Sequence, residues 1–293
     1  YTINMTFEET VNYLFNSAPL FQNVGAGAYK EGLSNTHKLD EHFCHPHTHY
    51  KTVHVAGTNG KGSCSHTLAS ILQASGLKVG LFTSPHLVDF RERIRVNGQM
   101  ISKEFVVDFV EKERNFFESL HPSFFELTTA MAFNYFEEQN VDIAVVEVGL
   151  GGRLDCTNII TPVVSVITNI SFDHTAFLGD TLQKIASEKA GIIKKGIPVV
   201  IGESVKETRN VFERKANEVN SPILFAEDKN NIINYQIMEN GRILYNTTNY
   251  GLINGELGGF CQIKNTNTIL NAIDLLKEQG FDIKDTDVHK GFA

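Results

Sequence analysis

Cysteine and positive charge are both in short supply. Four cysteines, Cys44, Cys64, Cys156 and Cys261, are scattered along 293 residues without a Cys-x-x-Cys pair. That spacing argues against a disulfide scaffold and a cysteine-built zinc site, and reads as free thiols in a reducing cytoplasm. Lysine and arginine total 26 against 34 aspartates and glutamates, a formal net charge of -8. Such a chain lacks the broad positive field that nucleic acid or an anionic membrane attracts, so neither is expected as a partner. An anionic substrate would have to be held by locally placed cations and backbone amides. No signal peptide is visible, and apolar runs such as Val163 to Ile167 are strand-sized rather than membrane-spanning.

What is present is the material of a globular enzyme: 42% hydrophobic and 20% charged residues, enough for one large or two modest domains. The chain opens on Tyr1 rather than Met, and no closing element is evident after His289-Lys290-Gly291. Strand-like runs at Thr52 to Ala56, Lys78 to Phe82, Asp142 to Val148, Val163 to Thr168 and Pro198 to Ile201 alternate with helical patterns. The helices are expected at Gly62 to Ser75, from a cap at Ser102 to Leu120, Leu127 to Glu138 and Thr181 to Ile193. This alternation predicts an α/β fold, a mostly parallel sheet with helices on both faces. After Ser221 the pattern changes. Asn234 to Met238 and Arg242 to Tyr245 flank Asn240-Gly241, a hairpin signature, and Thr266 to Gln279 returns to helix. The expected layout is one domain over 1-293, with a core at about 50-220, a small antiparallel region at about 221-260 and a closing helix at 266-279. Gly25 to Gly32 and Gly251 to Gly259 read as long loops.

The sharpest local signal is Gly57-Thr58-Asn59-Gly60-Lys61-Gly62-Ser63, between a strand and a helix. Glycines let the backbone curl around phosphate, amides at the helix start point at negative charge, Lys61 supplies a cation, and Ser63 offers a hydroxyl to magnesium. A strict Walker A pattern would have the hydroxyl directly after the lysine; here Gly62 intervenes. The strand Ile143 to Val146 ends in Glu147, as a Walker B strand does, which fits either a magnesium ligand or a salt-bridged acid. Ser84, in Thr83-Ser84-Pro85-His86-Leu87, faces the ligand crevice at a strand end, although taken alone it also suits a turn or cap.

With these segments in order, the chain resembles the Mur ligase superfamily, and the Gly62-Ser63 ending is similar to its folylpolyglutamate synthase/dihydrofolate synthase branch. Thr83 to Leu87, Gly149 to Asn158, Asp173-His174-Thr175 and Glu188-Lys189-Ala190-Gly191 match signatures of that branch. Cys156 stands where alanine is commoner, and Cys261 replaces a histidine in the Gly-x-His-Gln-x-x-Asn element. The resemblance implies a P-loop NTPase-like central domain that binds ATP through Gly57 to Ser63 and Asn265. It implies two magnesium ions, held by Ser63, Ser84 and Glu147 and by His174 with a carbamylated Lys189, with Asp173 orienting His174. It places the pterin near Phe124, Phe125, Glu126, Asp155 and Cys156, under an arm running from Ala18 to Leu33. Core packing is an equal reading for Phe124.

The implied reaction is ATP-dependent addition of L-glutamate to dihydropteroate or tetrahydrofolate through an acyl phosphate, by a cytoplasmic monomer. A cell-wall Mur ligase and a nucleotide-binding fragment are the alternatives. The family's C-terminal Rossmann-like domain has no counterpart in these residues, so nucleotide binding with little ligation is expected of them alone. The stretch His42, His45, His47 and His49 beside Cys44 suggests zinc, but its spacing suits a variable loop without a second ligand pair.

Overall fold

A computed structural model describes residues 5–17, 32–172 and 174–293. Two expectations therefore fall outside the described residues: Asp173, and most of the Ala18 to Leu33 arm.

The order of elements begins α1 (Phe7–Ser17), α2 (Ser34–His42), β1 (Lys51–Ala56), α3 (Lys61–Ala74), β2 (Val79–Phe82), β3 (Ile94–Val96) and β4 (Gln99–Met100). It continues α4 (Lys103–Leu120), α5 (Phe124–Glu138), β5 (Ile143–Glu147), β6 (Val164–Ile167), α6 (Thr175–Leu178), α7 (Leu182–Lys189), β7 (Val199–Ile201), α8 (Lys206–Glu218) and β8 (Ile223–Phe225). Three strands, β9 (Ile232–Ile237), β10 (Ile243–Thr247) and β11 (Gly251–Gly255), precede α9 (Cys261–Glu278) and α10 (Asp285–Phe292).

The main sheet runs β4-β3-β2-β5-β1-β6-β7-β8. From β2 to β8 the pairing is parallel, and β3 and β4 add an antiparallel edge. Parallel strands buried on both faces read as continuous apolar runs, as Ile143 to Val146 does. Successive side chains still alternate. Val53, Val55, Ile143 and Val145 pack on one face beneath α3, α9 and α10, with Leu68, Ile71, Leu72, Ile269 and Ile273. Ala144 and Val146 point to the other face, into an aromatic core of Phe82, Phe109, Phe117, Phe133 and Phe136 under α4 and α5. Near β7, Ile201 and Phe212 belong to a third cluster, with Ile167 and Ile192.

The local signals set the helix starts. Ser102 accepts the Phe105 N–H at 3.0 Å at the head of α4. Ser123 and Glu126 close a capping box at the head of α5. Helix α5 thus begins at Phe124, three residues before the expected Leu127. The helix expected to reach Ile193 stops at Lys189 and tightens into a 3₁₀ turn over Ala190–Ile192.

Two corrections concern the C-terminal third. Gly251 to Gly259 is only partly a loop: β11 pairs antiparallel with β10 and makes the hairpin a three-stranded sheet. Its inner face carries Ile243, Tyr245 and Ile253 into the core. The segment around His289 to Gly291 is not featureless either. It belongs to α10, which crosses α3 so closely that a Cβ on Gly291 would meet Ile71 Cα at 2.6 Å. Among the described residues no helix is long and apolar enough to cross a membrane.

Candidate active site

Four parallel strands, β2, β5, β1 and β6, deliver their carboxyl ends to one crevice, the place where open α/β sheets bind ligands. From β1 the chain enters the glycine loop. Gly57 takes φ +146° and lies so close to β6's exit that a Cβ there would meet Thr168 Oγ1 at 1.8 Å. Gly60 takes φ +79° at the head of α3, and Asn265 Oδ1 occupies the space 2.4 Å from where its Cβ would be. Only glycine fits both the backbone and the space.

The segment leaving β6 braces the loop. Thr58 N–H donates to Asn169 O at 3.0 Å and Asn59 N–H to Asn169 Oδ1 at 3.0 Å. Asn59 O accepts from Thr168 Oγ1 at 2.5 Å and Asn169 Nδ2 at 3.1 Å. Ser171 N–H donates to Thr58 Oγ1 at 3.1 Å. The resemblance pointed to His174 on this segment and missed Thr168 and Asn169. Their signal was present, two hydrogen-bonding residues directly after a buried strand. His174 itself lies farther along, exposed, with φ +45° at the start of α6.

Lys61 Nζ donates to the carbonyls of Gly57 and Thr58, both at 3.1 Å. Lys189, 2% exposed, comes across from α7 and donates to the same Gly57 carbonyl at 3.0 Å. An interior lysine at this place departs from the usual solvated helix face. From the far side, α9 leans in: Gln262 Nε2 donates to Ser63 Oγ at 3.1 Å, and Asn265 Nδ2 to Gln262 Oε1 at 3.0 Å.

Glu147 ends β5 3% exposed and accepts the Ser84 N–H at 3.1 Å. Burial pushes its carboxyl up to about 7, against the pull of Lys61 and the Ser84 N–H. Ser63, Ser84 and Glu147 together offer hydroxyl and carboxylate oxygens, the hard donor set that magnesium takes, and a buried acid with so raised a pKa is one that a cation would return to its charged form.

On the pterin side the structure divides the expected residues. Phe124 is buried, stacked on Phe15 at 4.8 Å and covered by the Arg93 guanidinium at 5.1 Å, so core packing accounts for it. Glu126 caps its own helix, accepting the Ser123 N–H at 2.6 Å. Asp155 turns inward: Oδ2 accepts from Gly149 N at 3.0 Å and Leu150 N at 2.9 Å, and Oδ1 from Thr157 N at 2.9 Å. Its carboxylate shapes the Gly149 to Asn158 loop. Phe125 lies over Gly149, and Cys156, partly exposed, begins a 3₁₀ turn.

Residues 55–272 match the Mur ligase middle domain family. The apo form of folylpolyglutamate synthase from L. casei superposes with TM-score 0.89 at 33% identity, covering 99% of this chain and 72% of that one. The chain belongs to the folylpolyglutamate synthase family of Mur ligases. A folylpolyglutamate synthase complex with AMPPCP and folate gives TM-score 0.88 at 33% identity, over 99% of this chain and 72% of that chain. The dihydrofolate synthase/folylpolyglutamate synthase of Bacillus subtilis is 42% identical over 219 residues, 72% of this chain and 51% of that protein. The folylpolyglutamate synthase of Lacticaseibacillus casei is 41% identical over 218 residues, 72% and 49% respectively. The chain spans about half the length of these curated relatives.

Proposed function

We propose that this chain is the nucleotide-binding part of an ATP-dependent ligase that couples L-glutamate to a pterin carboxylate, that of dihydropteroate, tetrahydrofolate or both. One observation carries the reading: Lys61 and Ser63 of the glycine loop, Ser84, Glu147 and Lys189, from four separate stretches of sequence, gather at the carboxyl ends of four parallel strands. The relatives, named for this activity, support it.

The loop amides and the head of α3 would take the β- and γ-phosphates. Lys61 would leave its carbonyl partners for the γ-phosphoryl group and stabilise its charge during transfer. Ser63, Ser84 and Glu147 would hold one magnesium ion, and His174 with Lys189 a second. Bound there, magnesium would neutralise charge on the phosphate oxygens. The substrate carboxylate attacks the γ-phosphorus as the bond to ADP breaks, giving an acyl phosphate. The glutamate amine then attacks the acyl carbon, releases phosphate and gives up a proton.

Lys189 would hold its metal as the carbamate formed from its neutral amine and carbon dioxide, with loss of a proton. Two ammonium groups on one carbonyl repel each other, and a carbamate would replace that repulsion by attraction to Lys61. Phe125 and Cys156 are the residues best placed for the pterin, and Asn265 would lie beside the nucleotide. On the same reading the protein acts as a cytoplasmic monomer, and the rest of the full-length enzyme completes the glutamate site. The deciding assay is ADP release by the full-length protein. Release that depends on both glutamate and either pterin supports the proposal; release indifferent to glutamate sinks it.

A further inference from the structure

We propose that Asp40, His45 and His47 form a binding site for a zinc-like divalent cation, remote from the nucleotide crevice. Helix α2 ends at His42. The next residues reverse the chain: Cys44 and His45 take φ +60° and +58°, and Pro46 opens a 3₁₀ turn over Pro46–Thr48. The reversal brings two imidazoles back over the last turn of α2. His45 Nδ1 lies 2.6 Å from Asp40 Oδ2, and His47 Nε2 lies 3.3 Å from Asp40 Oδ1. One ligand atom from each of the three residues falls within 4.8 Å of the others.

Zinc bound about 2.0–2.2 Å from nitrogen and oxygen ligands in a tetrahedron sets those ligands roughly 3.4 Å apart. His47 and Asp40 already stand at that separation. His45 would have to move outward by less than about 1 Å, and its side chain, 57% exposed, is free of the packing that would resist. Asp40 Oδ1 is buried without a hydrogen-bond partner, an atom that a cation would satisfy.

The competing arrangement is a plain ion pair of Asp40 with protonated histidines. It suits His45, whose pKa Asp40 raises by hydrogen bond and charge, with Glu41 adding to the effect. His47 Nε2 faces both carboxylate oxygens, 3.3 Å from Asp40 Oδ1 and 3.4 Å from Oδ2, and the tautomer protonated at Nδ1 presents a lone pair to a cation held there.

The other two histidines of the stretch are occupied elsewhere. His42 pairs with Glu113 at 2.7 Å and His49 pairs with Glu137. The third ligand is an aspartate inside the preceding helix rather than a second pair in the loop, so the spacing of the histidines alone does not show it. Two imidazoles and one carboxylate favour zinc and its first-row neighbours over magnesium. The site lies before the start of β1 and the glycine loop follows its end, so a six-residue strand, about 20 Å, separates them. A bound ion would clasp the end of α2 to the turn that leads into β1.

The test is calorimetric titration of zinc chloride into chelator-stripped protein with magnesium in excess, with cobalt(II) as an optical probe. The parent should take up one zinc ion with micromolar or tighter affinity, and its cobalt complex should show the visible bands of a low-coordinate nitrogen–oxygen site. His45→Ala, at an exposed position, should weaken zinc binding by more than about tenfold and remove those bands. Asp40→Asn should do the same, with circular dichroism confirming its fold, while His49→Ala should change neither readout. Failure of the parent to bind zinc at micromolar concentrations, or binding that survives His45→Ala unchanged, overturns the proposal.

Discussion

Lys61 and Lys189 donate to the same acceptor, the carbonyl oxygen of Gly57, at 3.1 and 3.0 Å. One lysine opens the helix that follows the glycine loop, and the other closes α7. Their meeting makes the Gly57 carbonyl the centre of the site and ties the loop to both neighbouring helices. Positive charge is thus concentrated at the one place where an otherwise acidic chain needs it.

Gly57→Ala should damage this centre without unfolding the protein. Its φ of +146° is unfavourable for alanine, and the added Cβ would fall 1.8 Å from Thr168 Oγ1. The loop must shift away from Thr168 and Asn169. Binding of an ATP analogue should weaken more than about tenfold, a change of ~1.4 kcal/mol or more, with the far-ultraviolet circular dichroism spectrum unaltered.

Glu147→Gln removes the carboxylate assigned to magnesium but keeps the size of the side chain. In the metal-free protein a carboxyl raised to about 7 favours the fold below the unfolded value of 4.5, and that contribution is lost as pH rises through 7. The variant should therefore be no less stable than the parent at pH 8 in thermal melts without metal. Magnesium-dependent nucleotide binding should nevertheless fall at least tenfold, or ~1.4 kcal/mol.

His54 gives a pH dependence of opposite sign. It is fully buried on β1, with Nε2 2.8 Å from Thr157 Oγ1, and burial lowers its pKa from 6.5 to about 3. A depressed histidine stabilises the fold above the unfolded pKa, and that contribution is lost as pH falls from 6.5 toward 3. His54 should cost up to ~1.4 kcal/mol for each pH unit in that window. Denaturant midpoints measured from pH 7 to 4 should fall less steeply in His54→Gln than in the parent.

Ser102→Ala should cost about 1 kcal/mol of global stability, because the Ser102 hydroxyl caps α4 through the Phe105 N–H. Nucleotide affinity should not change, since α4 lies over the aromatic core and not at the loop. A chemical melt and a binding titration on the same sample would check both halves.

Five strands of the main sheet, β2, β5, β1, β6 and β7, were legible because they are apolar runs flanked by loops with distinct chemistry, each found within a residue or two, whereas the short strands β3, β4 and β8 were not read. What escaped was set by tertiary contact. Three of the five residues of β11 are glycine or asparagine, and it becomes a strand by pairing with β10 and burying Ile253. Helix α10 carries only Val288 and Phe292 as large buried residues and depends on α3 for its place.

At the proposed site, motif order pointed to Lys61, Ser84, Glu147 and Lys189, since each follows or ends a recognisable element. Burial is less visible in a motif. Phe124, Glu126 and Asp155 are expected as ligand contacts, and the sequence did not show that each also has an internal partner, Phe15, Ser123 and Gly149.

The most direct test of the central claim is calorimetric titration of this chain with magnesium and AMPPCP, in parallel with Lys61→Ala. The parent should bind one analogue. The variant should bind at least ten times more weakly, as loss of one charge-assisted hydrogen bond of about 1.5–3 kcal/mol requires. Equal binding by the two proteins, or no binding by the parent, would contradict the assignment of the Gly57 to Ser63 loop as the phosphate site.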